Sequence, residues 1–390
     1  MRIERLYLGT WTQRTNLHLQ EVHRFLVQGS GVVGLEPIRT AESRSALGVE
    51  NVTFKESLIN TVSAICGGRP VTFTEDGLVI ISAKADDIKS GYDALSAFRT
   101  GSLEPALNHL FSRGAPLPKQ RVDIDPEEVL LAVVRGATDA DVSATFASFG
   151  DVPHSHSSAE GIRVMTGEKF ELIDLGDAAV SETDIEGFVR DLVFFREFDR
   201  QLHAYLREHR RIWDKISAIR DARSMKYADF PAVRTEIMSF EKTLGIVRAR
   251  LAQMDDILGA RRAGEEKTVA RILAGLGMFD FNSLHASRRY VSHLWDMTDD
   301  YADGTLGMLE ALYQENTQRE LNALKFITLT TALTSFFGMN IAFPWDARWA
   351  ESRTSSLEVI VLVAVASAAV YFLMHVAILN RNFVIKEERE

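Results

Sequence analysis

The run Val359–Ile378 limits what this chain can fold into more than any other stretch. Its twenty residues contain no Lys, Arg, Asp or Glu. As a helix rising ~1.5 Å per residue, it crosses a hydrocarbon core of ~30 Å. A second apolar segment lies just before it, beginning Leu321-Asn-Ala-Leu-Lys-Phe-Ile-Thr and running through Ser335-Phe-Phe-Gly-Met-Asn340. The polar stretch Ile341–Ser356 separates the two. This pattern predicts a membrane hairpin: a first span at 323–343, an outer loop at 344–356, a second span at 357–380 and a tail at 381–390. Arg319 and Lys325 precede the first span, and Arg381, Lys386 and Arg389 follow the second. Those flanks lean positive-inside, which sets both termini in the cytoplasm. Everything before Lys325 reads as water-soluble.

Two C-terminal apolar segments, the first ending in Gly338-Met339-Asn340, resemble the CorA family of magnesium channels. The resemblance covers roughly Asp299 to Arg381. It implies a funnel-shaped homopentamer in the bacterial inner membrane, with a pore lined by the first span. Gly338, Met339 and Asn340 would form the selectivity filter at its outer entrance. A ring of Asn340 amides suits magnesium, which dehydrates reluctantly and passes with its water shell. The same triplet also reads as an ordinary helix C-cap with Gly relieving strain. Thr328, Thr331 and Ser335 are candidate pore-lining hydroxyls; such residues equally bond to their own backbone or pack on a neighbour. Asn322 and Leu324 resemble the polar and apolar rings of the cytoplasmic gate, where an apolar ring closes a channel by dewetting. Asp346 in the outer loop is a candidate for gathering cations. Asp86 or Asp87, with Asp296, Asp299 and Asp300, are candidate regulatory carboxylates that bind magnesium between chains. In one respect the chain departs from the family. Only twelve residues, Phe326–Phe337, separate Lys325 from Gly338, and none is Pro. Family members have roughly two more helical turns there.

Ahead of the hairpin the sequence divides in two. Residues 1–180 alternate strand-like and helix-like pieces, an α/β domain with a mixed sheet. Ile3–Thr12 reads as a strand and Asn16–Gln28 as a helix. Val71–Ser82 reads as a hairpin turning at Asp76-Gly77, and Val129–Val134 as another strand. A second hairpin is expected around Gly167. Residues 181–322 read as long helices, with a break near Phe230-Pro231 and no Pro from Ala232 to Phe343. Leu284, Val291, Thr298, Thr305 and Leu312 fall seven apart, with Leu294, Tyr301 and Met308 between. That heptad predicts a stalk packing against other helices, including copies of itself.

Charge and composition close off other classes. The net charge is −10, so nucleic acid is not expected as a partner. Cys66 is the only cysteine, which excludes an intrachain disulfide. The N-terminus lacks the apolar core of a signal peptide, so the large N-terminal part is expected to stay in the cytoplasm. Phosphate loops, zinc-hydrolase and nucleophile-elbow motifs are absent, and transport rather than catalysis is expected. Magnesium is the expected cargo and regulator. The zinc-transporting ZntB branch of the superfamily is the near alternative, with zinc or cobalt as cargo. Two further readings stand: a channel gated by another cytoplasmic ligand, such as a nucleotide messenger, and a non-conducting membrane scaffold.

Overall fold

The computed structural model describes residues 1–11, 19–29, 35–111, 128–159, 161–222, 224–264, 267–277, 280–340 and 382–384. The chain divides into two compact units. One comprises Met1–Glu208 with Ile246–Leu294, the other His209–Gly245 with Trp295–Glu390.

In the first unit the chain runs β1 (Arg2–Trp11), α1 (Leu19–Gln28), α2 (Pro37–Leu47), β2 (Val49–Lys55), β3 (Thr61–Cys66), β4 (Arg69–Thr74) and β5 (Leu78–Ala83). It continues α3 (Ile88–Phe98), α4 (Glu104–Phe111), β6 (Val129–Arg135), α5 (Asp139–Ser148), β7 (Ser155–Ala159), β8 (Ile162–Thr166) and β9 (Phe170–Asp174). The nine strands form one sheet in the order β2-β3-β4-β5-β1-β6-β9-β8-β7. Every pairing is antiparallel except β6 with β9, so the sheet is mixed as expected.

Alternation along the strands sorts the two faces. One face carries Leu6, Leu8, Val62, Ala64, Val71, Phe73 and Ile81 into a core shared with Phe25 and Leu26 of α1, Leu95 of α3 and Leu110 of α4. The other face meets α6 (Glu182–Arg220). Gly9 permits that approach, because a Cβ there would come within 2.6 Å of the Val193 methyls. Beside it, the Trp11 ring packs 5.4 Å from Phe194 and 5.6 Å from Phe198. The β4–β5 turn falls at Asp76-Gly77 as expected, with Gly77 at φ +98° where a side chain would be strained.

Arg261 crosses this unit as a buried cation on α7 (Phe230–Gly264). Its Nε donates to Asp76 at 2.6 Å, its Nη1 donates to Asp191 at 3.0 Å, and its guanidinium lies 4.1 Å from the centre of the Phe194 ring.

The second unit takes the far part of α6, β10 (Ser224–Lys226), the start of α7, most of α9 (Phe281–Asn340) and β11 (Asn382–Val384). A short helix α8 (Lys267–Leu276) precedes α9 and belongs to the first unit. In the second unit Trp295, Thr298, Ala302, Thr305 and Leu309 are buried, as are Ile212, Ile216, Ile237, Phe240 and Leu244. Trp213 stacks on Tyr301 at 4.6 Å and Phe230 on Tyr313 at 4.3 Å. β10 and β11 form an antiparallel ladder pairing Ser224 with Val384, Met225 with Phe383 and Lys226 with Asn382.

The heptad on α9 needs two corrections. Val291, Thr298 and Thr305 are buried, but their alternates are Trp295, Ala302 and Leu309 rather than Leu294, Tyr301 and Met308. Moreover, this seam is already filled within the single chain. Tyr290 and Met297, at 60% and 45% exposure, stand on the open side.

Candidate functional site

α9 is one uninterrupted helix of 60 residues, about 90 Å long at 1.5 Å per residue. It delivers Gly338, Met339 and Asn340 at its last turn, with no break at Lys325. The missing Pro explains the continuity, since nothing in this stretch removes a backbone N–H. Among the described residues no helix is long and apolar enough to cross a membrane. Val359–Ile378, the outer loop and Asp346 lie outside the described residues.

Helical spacing decides which expected residues come together. Leu321, Leu324, Thr328, Thr331 and Ser335 succeed one another at alternating steps of three and four, so they occupy one stripe. Gly338 continues it. Asn322 follows Leu321 by one residue and lies about 120–180° round the axis from Thr328, Thr331 and Ser335. Asn340 follows Asn322 by about five whole turns and shares its angle. The two asparagines therefore define one line along α9 and the hydroxyls another.

Leu321 and Leu324 are 46% and 50% exposed in the single chain. Thr328 and Thr331 are exposed as well. Their hydroxyls donate to the carbonyls of Leu324 at 2.8 Å and Ile327 at 2.9 Å. Each hydroxyl thus finds an acceptor within its own helix.

The expected regulatory acids separate into two sets. Asp86 is exposed, whereas Asp87 caps α3 and accepts from the Ser90 backbone N–H at 2.8 Å. That bond, with a contribution from the Ser90 hydroxyl, holds the Asp87 carboxyl below the usual carboxylate range. Asp87 therefore has a structural task of its own. Asp296 and Asp299 are half-buried on α9, and Asp300 is exposed. Near Asp299 stands a residue that spacing did not single out, Glu241 of α7. Burial pushes its carboxyl up, and the charges of Asp303, Asp299 and Glu310 push it further. Glu310 is itself paired with Arg234 at 3.1 Å. Among the described residues no three His, Cys, Asp or Glu side chains converge to hold a metal ion.

Sequence reasoning also missed the β10–β11 ladder. The signal was present in Asn382-Phe-Val-Ile385, a short β-prone piece directly after the second apolar run.

No protein-family profile matches the chain. No curated protein matches it either. Among solved structures it is similar to the CorA magnesium transporter of Methanocaldococcus jannaschii, at 12% identity, over 64% of this chain and 94% of that one, with a TM-score of 0.28. A superposition that loose transfers no residue roles.

Proposed function

We propose that this chain is a CorA-type divalent-cation channel, with magnesium as cargo, built as a homopentamer in the bacterial plasma membrane. The observation that carries the reading is where the chain returns after its second apolar run. Phe230, which opens α7, stacks on Tyr313, so the α6–α7 connection stands level with that point of α9. From there α9 continues about 27 residues to Asn340, some 40 Å. The β11 strand nevertheless pairs with β10 in that same connection. Asn340 and Asn382 are therefore separated by roughly the distance α9 projects. The apolar run read from the sequence, if helical, has the length to cover about 30 Å of it. An outward and a return crossing leave both ends on one side, as the basic flanks require.

Within that arrangement the open stripe of α9 faces its copies around a central path. Leu324 forms the apolar constriction near the cytoplasmic end. Thr328, Thr331 and Ser335 line the wet part, and the Asn340 amides, which lie on another line of the helix, reach the hydrated ion only because α9 ends there, at the outer mouth. The acidic face of Asp296, Asp299 and Asp300 beside Glu241 receives cytoplasmic magnesium and favours the closed state by relieving like-charge repulsion. The work done is passage of an ion down its gradient, with no covalent step.

The test is flux. The purified protein is reconstituted in liposomes carrying a trapped magnesium dye, and wild type is compared with Asn340→Ala. Influx in wild type, lost or altered in ion preference in the variant, is the expected result. Influx of zinc or cobalt without magnesium would move the chain to the ZntB-like alternative. No flux of any cation, with and without magnesium on the cytoplasmic side, would overturn the channel reading.

A further inference from the structure

The half of the sheet formed by β2–β5 is two-faced in an uneven way. One side is the apolar core. The side toward α6 is a floor of hydroxyls, set out by strand register. Lys55, Thr61 and Thr74 lie in one cross-strand row, and Thr53, Ser63 and Thr72 in the next. α6 covers β1 tightly, through Gly9 against Val193, but stands off from these strands. Two adjoining cavities remain there, of about 260 and 190 Å³, and both are bounded by Lys55, Thr61 and Arg190. Together they enter the size range of small-molecule sites, ~300–1,000 Å³.

The lining has a definite chemistry. Arg261, at the back, is already engaged by Asp76 and Asp191. Glu186, on the rim, lies 3.6 Å from Arg5. Arg190 of α6 and Lys55 of β2, by contrast, make no salt bridge among the described residues, although Arg190 feels the charge of Asp191. The floor hydroxyls are loosely held. Ser63 and Thr72 approach at 3.4 Å, Thr53 reaches the Ser63 carbonyl at 3.4 Å, and Thr61 reaches the Ile59 carbonyl at 3.4 Å. Hydroxyl hydrogen bonds prefer ~2.7–2.8 Å, so these donors gain by turning to a better acceptor.

Two cations that form no salt bridge among the described residues, Arg190 in the field of Asp191 and Lys55 at the opening, stand above a floor of loosely held O–H donors and match an oxyanion. A guanidinium grips two oxygens at once, an ammonium supplies a second charge, and hydroxyls fill the remaining lone pairs. A phosphate group carries the number of charges and acceptors that this lining offers. We propose that the cavity between β2–β5 and α6 binds a small phosphate-bearing ligand, with Arg190 and Lys55 as counter-charges and the hydroxyls of Thr61, Ser63 and Thr72 as further donors. The site uses residues of the first unit alone and stands independently of the channel reading.

The experiment uses the full-length protein in detergent. Thermal unfolding and calorimetric titration are run with pyrophosphate, AMP, adenosine and sodium chloride at matched ionic strength. Pyrophosphate or AMP is expected to raise the unfolding midpoint saturably, while adenosine and matched salt do not. Arg190→Gln and Lys55→Gln are each expected to weaken binding by about tenfold or more, the scale of a lost charge-assisted contact. Thr72→Val keeps both cations and tests the floor separately, should the charge variants unfold. Responses that equal those to matched salt, or affinity unchanged in Lys55→Gln/Arg190→Gln and in Thr72→Val, would overturn the proposal.

Discussion

Phe383 stands opposite Met225 in the ladder that ties β11 to the α6–α7 connection. Adjacent pairs in an antiparallel ladder alternate between Cα separations of ~5.5 and ~4.5 Å, both within reach of a disulfide. The double variants Met225→Cys/Phe383→Cys and Ser224→Cys/Val384→Cys are therefore expected to cross-link on mild oxidation, at least one of them fully. Cys66 does not compete, because it is buried and burial pushes its thiol up to about 11. A protease cut between the two sites followed by a non-reducing gel reads the result. Two released fragments in both variants would remove the return of the chain on which the two-crossing topology rests.

Arg261 holds two carboxylates at once, and the two respond differently. Burial opposes charge on Asp76, yet Arg261 and the Thr74 hydroxyl hold its carboxyl below the usual range. Burial dominates at Asp191 and pushes its carboxyl up despite the same arginine. Arg261→Met is expected to cost about 3–5 kcal/mol, because it leaves buried charge uncompensated. Most of the loss should return in Arg261→Met/Asp76→Asn/Asp191→Asn, measured by denaturant unfolding. In wild type the Asp76 contribution is present above its unfolded value of 3.8 and fades as pH falls through its lower folded value. A triple variant no more stable than the single one would sink this account.

Glu241 gives the opposite sign. Its folded carboxyl titrates above its unfolded value of 4.5, so the folded state gives up this proton later than the unfolded chain. Stability from this group is present below that value and is lost as pH rises through the folded one. Glu241→Gln is expected to raise the unfolding midpoint at pH 7 and to leave it unchanged near pH 4. Under the magnesium-feedback reading, millimolar magnesium stabilises wild type more than the variant. A midpoint at pH 7 that falls on substitution would contradict the repulsion described.

Leu324 and Thr331 separate gating from folding. Both are exposed in the single chain, so Leu324→Ser and Thr331→Val are each expected to change its stability by no more than about 0.5 kcal/mol. Flux should move strongly. On the channel reading, Leu324→Ser would wet the proposed constriction and is expected to leak several-fold more with cytoplasmic magnesium present, and Thr331 would be a lining residue. Thr331→Val removes a lining hydroxyl and is expected to lower the rate. Unchanged flux in both, with the protein folded, would take the stripe out of the conduction path.

How far the sequence revealed this molecule depended on how local each signal was. Asp76-Gly77 marks a turn through its own backbone needs, and the β4–β5 hairpin was legible for that reason. β2 was not, because its alternation is broken. Asn51 adopts φ +47° and the pairing with β3 slips between Glu50 and Thr53, so no clean period of two survives. On α9 the primary heptad was legible, but its partner row was not. Steps of three and four both stay on one helix face, and only packing selected Trp295, Ala302 and Leu309. Glu241 was invisible because its significance comes from acids more than fifty positions away. Gly338-Met339-Asn340 falls at the end of α9, a continuity that the absence of Pro permits.

The β10–β11 ladder also carries a consequence for biogenesis. β11 follows every other described element, whereas β10 emerges from the ribosome long before it. At ~5–20 residues per second, β10 is left without its partner for on the order of ten to thirty seconds. An open strand edge is an invitation to wrong pairings during that interval. The ladder can close only after residues 227–381 have been made. On the two-crossing reading proposed above, its closure would also report that both apolar runs had inserted, since a chain that inserted only one would carry its tail to the other side and leave the β10 edge unsealed.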